Sequence, residues 1–139
     1  MYVRRTIAGA VACALALLAA ACNGIVDPSK NQNETFTGTI PVQGTSSCCG
    51  FSTSKQGEFT IKVTSLSPTG GAFFGTVMAY AASDGSCVGN LTPIQQNSFA
   101  TANTPALTGL IYPGKYCIFL FDIGAFTVAQ NYTLNVSHP

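Results

Sequence analysis

The sequence predicts an all-β domain, an antiparallel β-sandwich of about seven or eight strands preceded by a cleaved signal peptide. Three observations carry this. Residues 112–122 (Tyr-Pro-Gly-Lys-Tyr-Cys-Ile-Phe-Leu-Phe-Asp) place a Pro-Gly turn before a short aromatic and β-branched run. A bounded run of that kind reads as a strand buried on both faces. Residues 57–64 alternate strictly, with Phe59, Ile61 and Val63 facing one way and Glu58, Thr60, Lys62 and Thr64 the other. Only 8% of the 139 residues are charged, so polarity comes from Thr, Ser, Asn and Gln, which suit strands and turns. A hydrophobic fraction of 47% with a net charge of +1 argues against disorder and leaves no basic surface for nucleic acid.

Residues 1–5 are basic, 7–21 are apolar, and the run ends Leu18-Ala19-Ala20-Ala21-Cys22. Fifteen apolar residues are too few to cross a hydrocarbon core, which needs about 20. Basic start, apolar middle and small-residue end make a signal peptide. Here the chain resembles a bacterial lipoprotein precursor, although Ala19 stands where that family usually has Leu and Leu18 lies one place back. The resemblance implies cleavage before Cys22 and diacylglyceryl attachment to its sulfur. The alternative is an ordinary cleaved signal with an incidental Cys. The expected organisation is therefore 1–21 signal peptide, 22–34 lipidated Cys and solvated tether, and 35–139 sandwich. Cys13 falls in the discarded run.

The expected strands follow in order. Residues 35–40 form a short strand stopped by Pro41, and 42–54 read as a loop around Cys48 and Cys49. After the alternating strand at 57–64, Pro68-Thr69-Gly70-Gly71 turns the chain into a strand at 73–81. Asp84-Gly85 marks another turn; 91–97 reads as irregular because Pro93 opposes a central strand. Weaker strands at 98–102 and 106–111 lead to 116–122, and 130–137 closes the chain with Tyr132, Leu134 and Val136 inward. Candidate core residues are Phe59, Ile61, Val63, Phe119, Phe121, Tyr132 and Leu134.

Four of these segments carry a family resemblance: Phe-Thr-Gly-Thr-Ile at 36–40, Glu-Phe-Thr-Ile-Lys-Val-Thr-Ser-Leu-Ser-Pro at 58–68, the stretch 107–122 with its Pro-Gly-x-Tyr turn, and Asn-Tyr-Thr-Leu-Asn-Val at 131–136. Together they look like the bacterial pre-peptidase C-terminal domain over 35–139. The resemblance implies a jelly-roll-like sandwich, usually appended to secreted hydrolases, with some members binding insoluble polymers or calcium. No hydrolase accompanies it in these residues, so the passenger role does not carry over. Calcium fits poorly: it takes 6–8 oxygen ligands, whereas the tether offers only Asp27 and Glu34.

The sequence shows no nucleophile elbow, phosphate loop or HExxH motif. His138, next to the last residue, sits where a frayed terminus would make a poor general base. The protein is expected not to be an enzyme and to need no cofactor; the rival is a small hydrolase using Asp84 and Asp122. Exported cysteines default to disulfides. Cys87, past a turn, and Cys117, entering the best strand, are expected to pair, leaving Cys48 and Cys49 as a vicinal pair or two free thiols. Zinc is the rival reading, but CxxC spacing is absent.

Tyr112, Phe51, Phe99 and Phe126 lie in or beside loops and form a candidate ligand platform; the plainer reading has them plugging the ends of the sandwich. The sequons at Asn33, Asn90, Asn131 and Asn135 follow from Thr and Asn richness. The functional expectation is a non-catalytic lipoprotein of the bacterial cell envelope, lipid-anchored at the outer membrane or surface, whose sandwich binds a polysaccharide or a surface protein. A purely structural or inhibitory lipoprotein is the alternative.

Overall fold

The computed structural model describes residues 27–139, apart from the side chains at 47 and 48; the expected signal peptide, Cys13 and Cys22 lie outside the described residues. After one 3-10 turn at Pro28–Lys30 come eight strands: β1 (Gln32–Ile40), β2 (Thr45–Thr53), β3 (Gly57–Ser67), β4 (Phe74–Tyr80), β5 (Pro93–Ala100), β6 (Pro105–Ile111), β7 (Gly114–Phe121) and β8 (Gln130–His138). They make two four-stranded sheets, ordered β1-β8-β3-β6 and β2-β7-β4-β5, with every pairing antiparallel. The chain crosses from one sheet to the other after each strand, except at the β4–β5 connection. That connectivity is a jelly roll, which buries one face of each sheet against the other.

Strand periodicity builds the core. β8 sends Tyr132, Leu134 and Val136 inward, β3 sends Phe59, Ile61 and Val63, and β1 contributes Ile40 with half-buried Phe36. A bulge between Val63 and Ser65 shifts the parity of β3, so Leu66 also points inward. The second sheet answers with Phe51, Phe74, Met78, Tyr116, Ile118 and Leu120. Each such side chain, fully buried, contributes about 1.5–3 kcal/mol.

Several expectations need correction. Residues 45–53, expected within a loop, form edge strand β2. Its register on β7 shifts between Ser47 and Gly50, and that bulge breaks the alternation that would have marked it as a strand. Residues 91–97 do not simply wander, because β5 begins at Pro93; proline is tolerated as the first residue of an edge strand. β1 starts at Gln32, so the tether expected to run to residue 34 ends sooner. Phe119 and Phe121 are not in the core. In β7 the inward set is Tyr116, Ile118 and Leu120, while both phenylalanines are half-buried on the outer face. A continuous apolar run does not reveal its own parity, which is why the sequence misassigned them.

Two local devices close the end of the sandwich near the β7 C-terminus. Asp122 is 9% exposed and accepts four backbone N–H groups: Gln43 on Oδ2 at 2.8 Å, and Gly124, Ala125 and Phe126 on Oδ1 at 2.8, 2.8 and 3.2 Å. Burial pushes this carboxyl up, but the donors of Gln43, Ala125, Phe126 and Gly124 outweigh it and hold it below the ordinary value. Gln130, fully buried, does the same for the β3–β4 turn: its Oε1 accepts from Thr69 N at 2.8 Å and its Nε2 donates to Val128 O at 2.9 Å. On the outer face of β4, Gly75 lies opposite Phe121, whose ring occupies the space a side chain there would need.

Gly75→Ala forces the Phe121 ring aside and is expected to cost about 1–3 kcal/mol, measurable by urea unfolding. Asp122→Ala leaves four backbone donors without their anion and is expected to cost about 2–4 kcal/mol at neutral pH. Because the folded carboxyl is depressed, its contribution is full above the unfolded value of about 4 and is lost as pH falls through the lower folded value. The stability gap between wild type and Asp122→Ala should therefore begin to narrow below about pH 4 and go on narrowing as pH falls through the lower folded value.

Candidate functional site

The end of the sandwich opposite Asp122 opens into a cleft of about 330 Å³ lined by Glu34, Gly50, Phe51, Ser52, Gly85, Lys115 and Tyr116. Three strands and one turn meet there. Glu34 has the same parity on β1 as Phe36 and Ile40, so the strand aims it toward the interior. An unpaired carboxylate in that position would be costly. His138 supplies the partner: its ring, 1% exposed, sits diagonally across from Glu34 on β8, and Nε2 lies 2.8 Å from Oε1. Glu34 keeps 39% of its side chain exposed toward the cleft.

The floor is aromatic. The His138 ring lies 5.1 Å from Phe51, Phe51 stacks on Tyr116 at 5.4 Å, and Tyr116 meets Tyr80 at 5.4 Å. The Tyr116 hydroxyl donates to Tyr112 O at 2.7 Å. Burial, followed by the nearby Tyr80, raises the Tyr116 phenol above its ordinary value. Lys115, exposed on the outer face of β7, brings its Nζ against Gly85, where an added Cβ would lie 3.1 Å away. Gly85 has φ +83°, so the glycine supplies both the turn and the room for the ammonium. Asp84 beside it accepts from Ser86 N at 2.9 Å; that hydrogen bond chiefly, with a smaller pull from Lys115, lowers its carboxyl.

This arrangement is built to hold polar groups. Its lining includes a carboxylate, an ammonium, the Ser52 hydroxyl and the edges of two aromatic residues, Phe51 and Tyr116. The ring of His138 faces two oxygen acceptors, Glu34 Oε1 on Nε2 and Pro139 O at 3.2 Å from Nδ1. Both ring nitrogens therefore lie against oxygen atoms of the fold itself. The structure does not bring Asp84 and Asp122 together. Asp84 lies beside Lys115 at one end of β7, and Asp122 follows the other end, so about 23 Å of strand separates them. Two glycosidase carboxylates stand within roughly 10 Å.

The expected aromatic platform is not assembled. Phe51 and Phe126 are each 5% exposed and belong to the core, whereas Phe99 at 71% and Tyr112 at 55% lie open. Phe99 sits near the Asp122 end, edge-on to Phe73 at 6.4 Å, and Tyr112 sits at the cleft end. His138 is not frayed; it is the last residue of β8 and almost wholly enclosed. Sequence reasoning missed Glu34, His138, Ser52 and Lys115 as a group. Two signals were available, since His138 extends the inward series Tyr132, Leu134, Val136, and Glu34 precedes Phe36 at the same spacing.

Cys87 and Cys117 form a disulfide with Cα atoms 5.5 Å apart, as the sequence suggested, which also removes the zinc reading for them. Closing that 30-residue loop stabilises the fold by about 3–4 kcal/mol in the chain-entropy picture. Cys49 is buried and disulfide-bonded, so the free-thiol alternative does not hold for it; the Cys48 side chain is outside those described. The disulfide pins residues 82–92 over the outer face of β7. Beneath them lies a second hollow, about 290 Å³, lined by Val77, Ala79, Leu91, Phe119 and Phe121 together with Thr45, Gly89 and Asn90. Among the described residues, no cluster of three or more His, Cys, Asp or Glu side chains could hold a metal ion. No helix among them is long and apolar enough to cross a membrane.

No protein-family model matches the chain, and no curated protein matches it. Among solved structures, the fold is similar to that of the Yersinia pseudotuberculosis-derived mitogen. The TM-score is 0.55 and the identity 16%, over 78% of this chain and 87% of that one. A likeness at that identity shows a shared β-sandwich architecture.

Proposed function

We propose that this protein is a non-catalytic, lipid-anchored module of the bacterial cell envelope that binds a polysaccharide at the cleft between β1, β2 and β7. The carrying observation is the cleft itself: Glu34, hydrogen-bonded to buried His138, lines it together with Lys115, Ser52, Phe51 and Tyr116. A volume near 330 Å³ suits one or two sugar rings rather than a protein surface. A carboxylate and an ammonium lining one cleft suit a chain that carries amino or acidic groups besides hydroxyls. The motifs at 58–68, 107–122 and 131–136 support kinship with the pre-peptidase C-terminal domains, some of which bind polymers. The basic, apolar, Ala-Ala-Cys22 order supports the anchor, where each buried methylene of an acyl chain contributes about 0.8 kcal/mol.

A surface protein is the second reading, favoured by one observation. The hollow on the outer face of β4 and β7 exposes parts of Phe119 and Phe121, with Ile94 and Val88 exposed nearby at 42% and 69%. Apolar groups of that kind anchor protein contacts.

Acyl mass on Cys22 is expected in the membrane fraction, and Cys22→Ala should release the protein into the soluble envelope; unchanged localisation would refute the anchor. A glycan array probed with the chain from residue 23 onward is expected to show selective binding. Glu34→Gln and Lys115→Ala should each weaken it about tenfold, roughly 1.4 kcal/mol, with the unfolding transition retained. Binding that survives both substitutions but is lost in Phe119→Ala would place the site on the outer hollow instead.

A further inference from the structure

Four strands stand at sheet edges, and they are not protected alike. At one side of the sandwich, two side-chain amides of β5 cover the edge of β6: Gln95 Nε2 donates to Thr108 O and Asn97 Nδ2 to Ala106 O, both at 3.0 Å. β5 begins at Pro93 and carries register shifts between Phe74/Thr76 and Met78/Ala79. On the other side, β2 is broken by its bulge between Ser47 and Gly50. Amide covers, prolines and bulges are the devices by which proteins keep sheet edges from pairing. β1 has none of them. Its nine residues run in unbroken register on β8, without proline or lysine. Its one inward carboxylate, Glu34, is already held by a hydrogen bond with His138. Outward it shows a neutral row, Asn33, Thr35, Thr37 and Thr39, all exposed, and inward a Phe36 that the core covers only in part.

We propose that β1 pairs antiparallel with β1 of a second copy of this chain, joining the two β1-β8-β3-β6 sheets across a two-fold axis. Residues directly opposite in an antiparallel pair share a face, so only registers whose facing residue numbers sum to an even value keep Phe36 inward in both copies. The register that engages all nine residues, Gln32–Ile40, puts Phe36 on the axis against its equivalent. It sets Thr35 opposite Thr37 and Asn33 opposite Thr39, the hydroxyl and amide pairs that stabilise facing strands. Each Glu34 then faces Gly38, and the two carboxylates stand about 14 Å apart along the strands, so no like charges meet. The half-exposed Phe36 rings become buried against each other, which supplies an apolar contribution beyond the backbone ladder. Self-complementarity of this kind is what an isologous two-fold contact requires, and it favours a second copy over an unrelated strand.

The test uses the chain from residue 23 onward, which retains all eight strands. Sedimentation from about 10 µM to about 1 mM should show a concentration-dependent dimer. Thr35→Lys/Thr37→Lys, which faces ammonium groups across the axis, should return it to monomer with the thermal midpoint at low concentration unchanged. Register is read separately, and without relying on that variant's folding, by mixing Thr35→Cys with Thr37→Cys under oxidation. Facing Cα atoms about 4.5–5.5 Å apart lie within disulfide reach. Crosslinked dimer should form in the mixture and be absent from either variant alone. A monomer throughout the concentration range, a dimer that persists in the double lysine variant, or an uncrosslinked mixture would each overturn the proposal and leave the β1 edge to another protein's strand or to residues 1–26.

Discussion

The alternation of β8 is the constraint on which most of the structure depends. It lies between β1 and β3 and sends Gln130, Tyr132, Leu134, Val136 and His138 into the interior. Its three apolar members join the central core cluster, and the two polar ones reach the opposite ends. Each end residue is enclosed, so each must find partners. Gln130 finds them in the β3–β4 turn at Thr69, and His138 in Glu34 and Pro139. One strand thus closes the Asp122 end and also shapes the cleft. In physical terms, the cleft follows from ending an inward series on a histidine: imidazole needs acceptors, and the nearest inward position on β1 holds a carboxylate.

The second sheet works by a different rule. β7 is covered on both faces, but by unlike things. Its inner face meets the core through Tyr116, Ile118 and Leu120. Its outer face is partly roofed by residues 82–92, which the Cys87–Cys117 disulfide holds down. A small domain with few charges gains from such a link, because its core alone supplies limited net stability. The roof is incomplete, and the hollow with Phe119 and Phe121 remains beneath it. The β2-β7-β4-β5 sheet therefore carries the apolar outer surface, while the β1-β8-β3-β6 sheet carries a face of Thr, Ser and Asn.

Much of the fold was legible in the chain, because its signals are local. Strict alternation at 57–64 and 130–137 gave β3 and β8, and turn residues bounded β4 and β7. The charge-poor, Thr-rich composition argued for strands throughout, and the Cys87–Cys117 pair followed from a turn set before a strand. What the sequence could not supply was anything that depends on parity across a bulge or on distance through space. β2 was missed because the shift at Ser47/Gly50 scrambles its period. Phe119 and Phe121 were placed inside because an unbroken apolar run gives both of its faces the same appearance.

The site was less legible than the fold, for the same reason. Glu34 and His138 are 104 residues apart in the chain. Neither has a motif around it, and only the β1–β8 register brings them to 2.8 Å. Phe51 and Phe126 looked like loop aromatics free to bind; the packing of the two sheets drew them into the core, where their large apolar area is removed from water. By itself the sequence determined the all-β class, most of the strands and one disulfide, since those signals lie in local residue patterns. The tertiary structure alone decided which polar groups meet, which rings stay exposed and which strands stand at the sheet edges among the described residues, because those outcomes depend on residues that only folding makes neighbours.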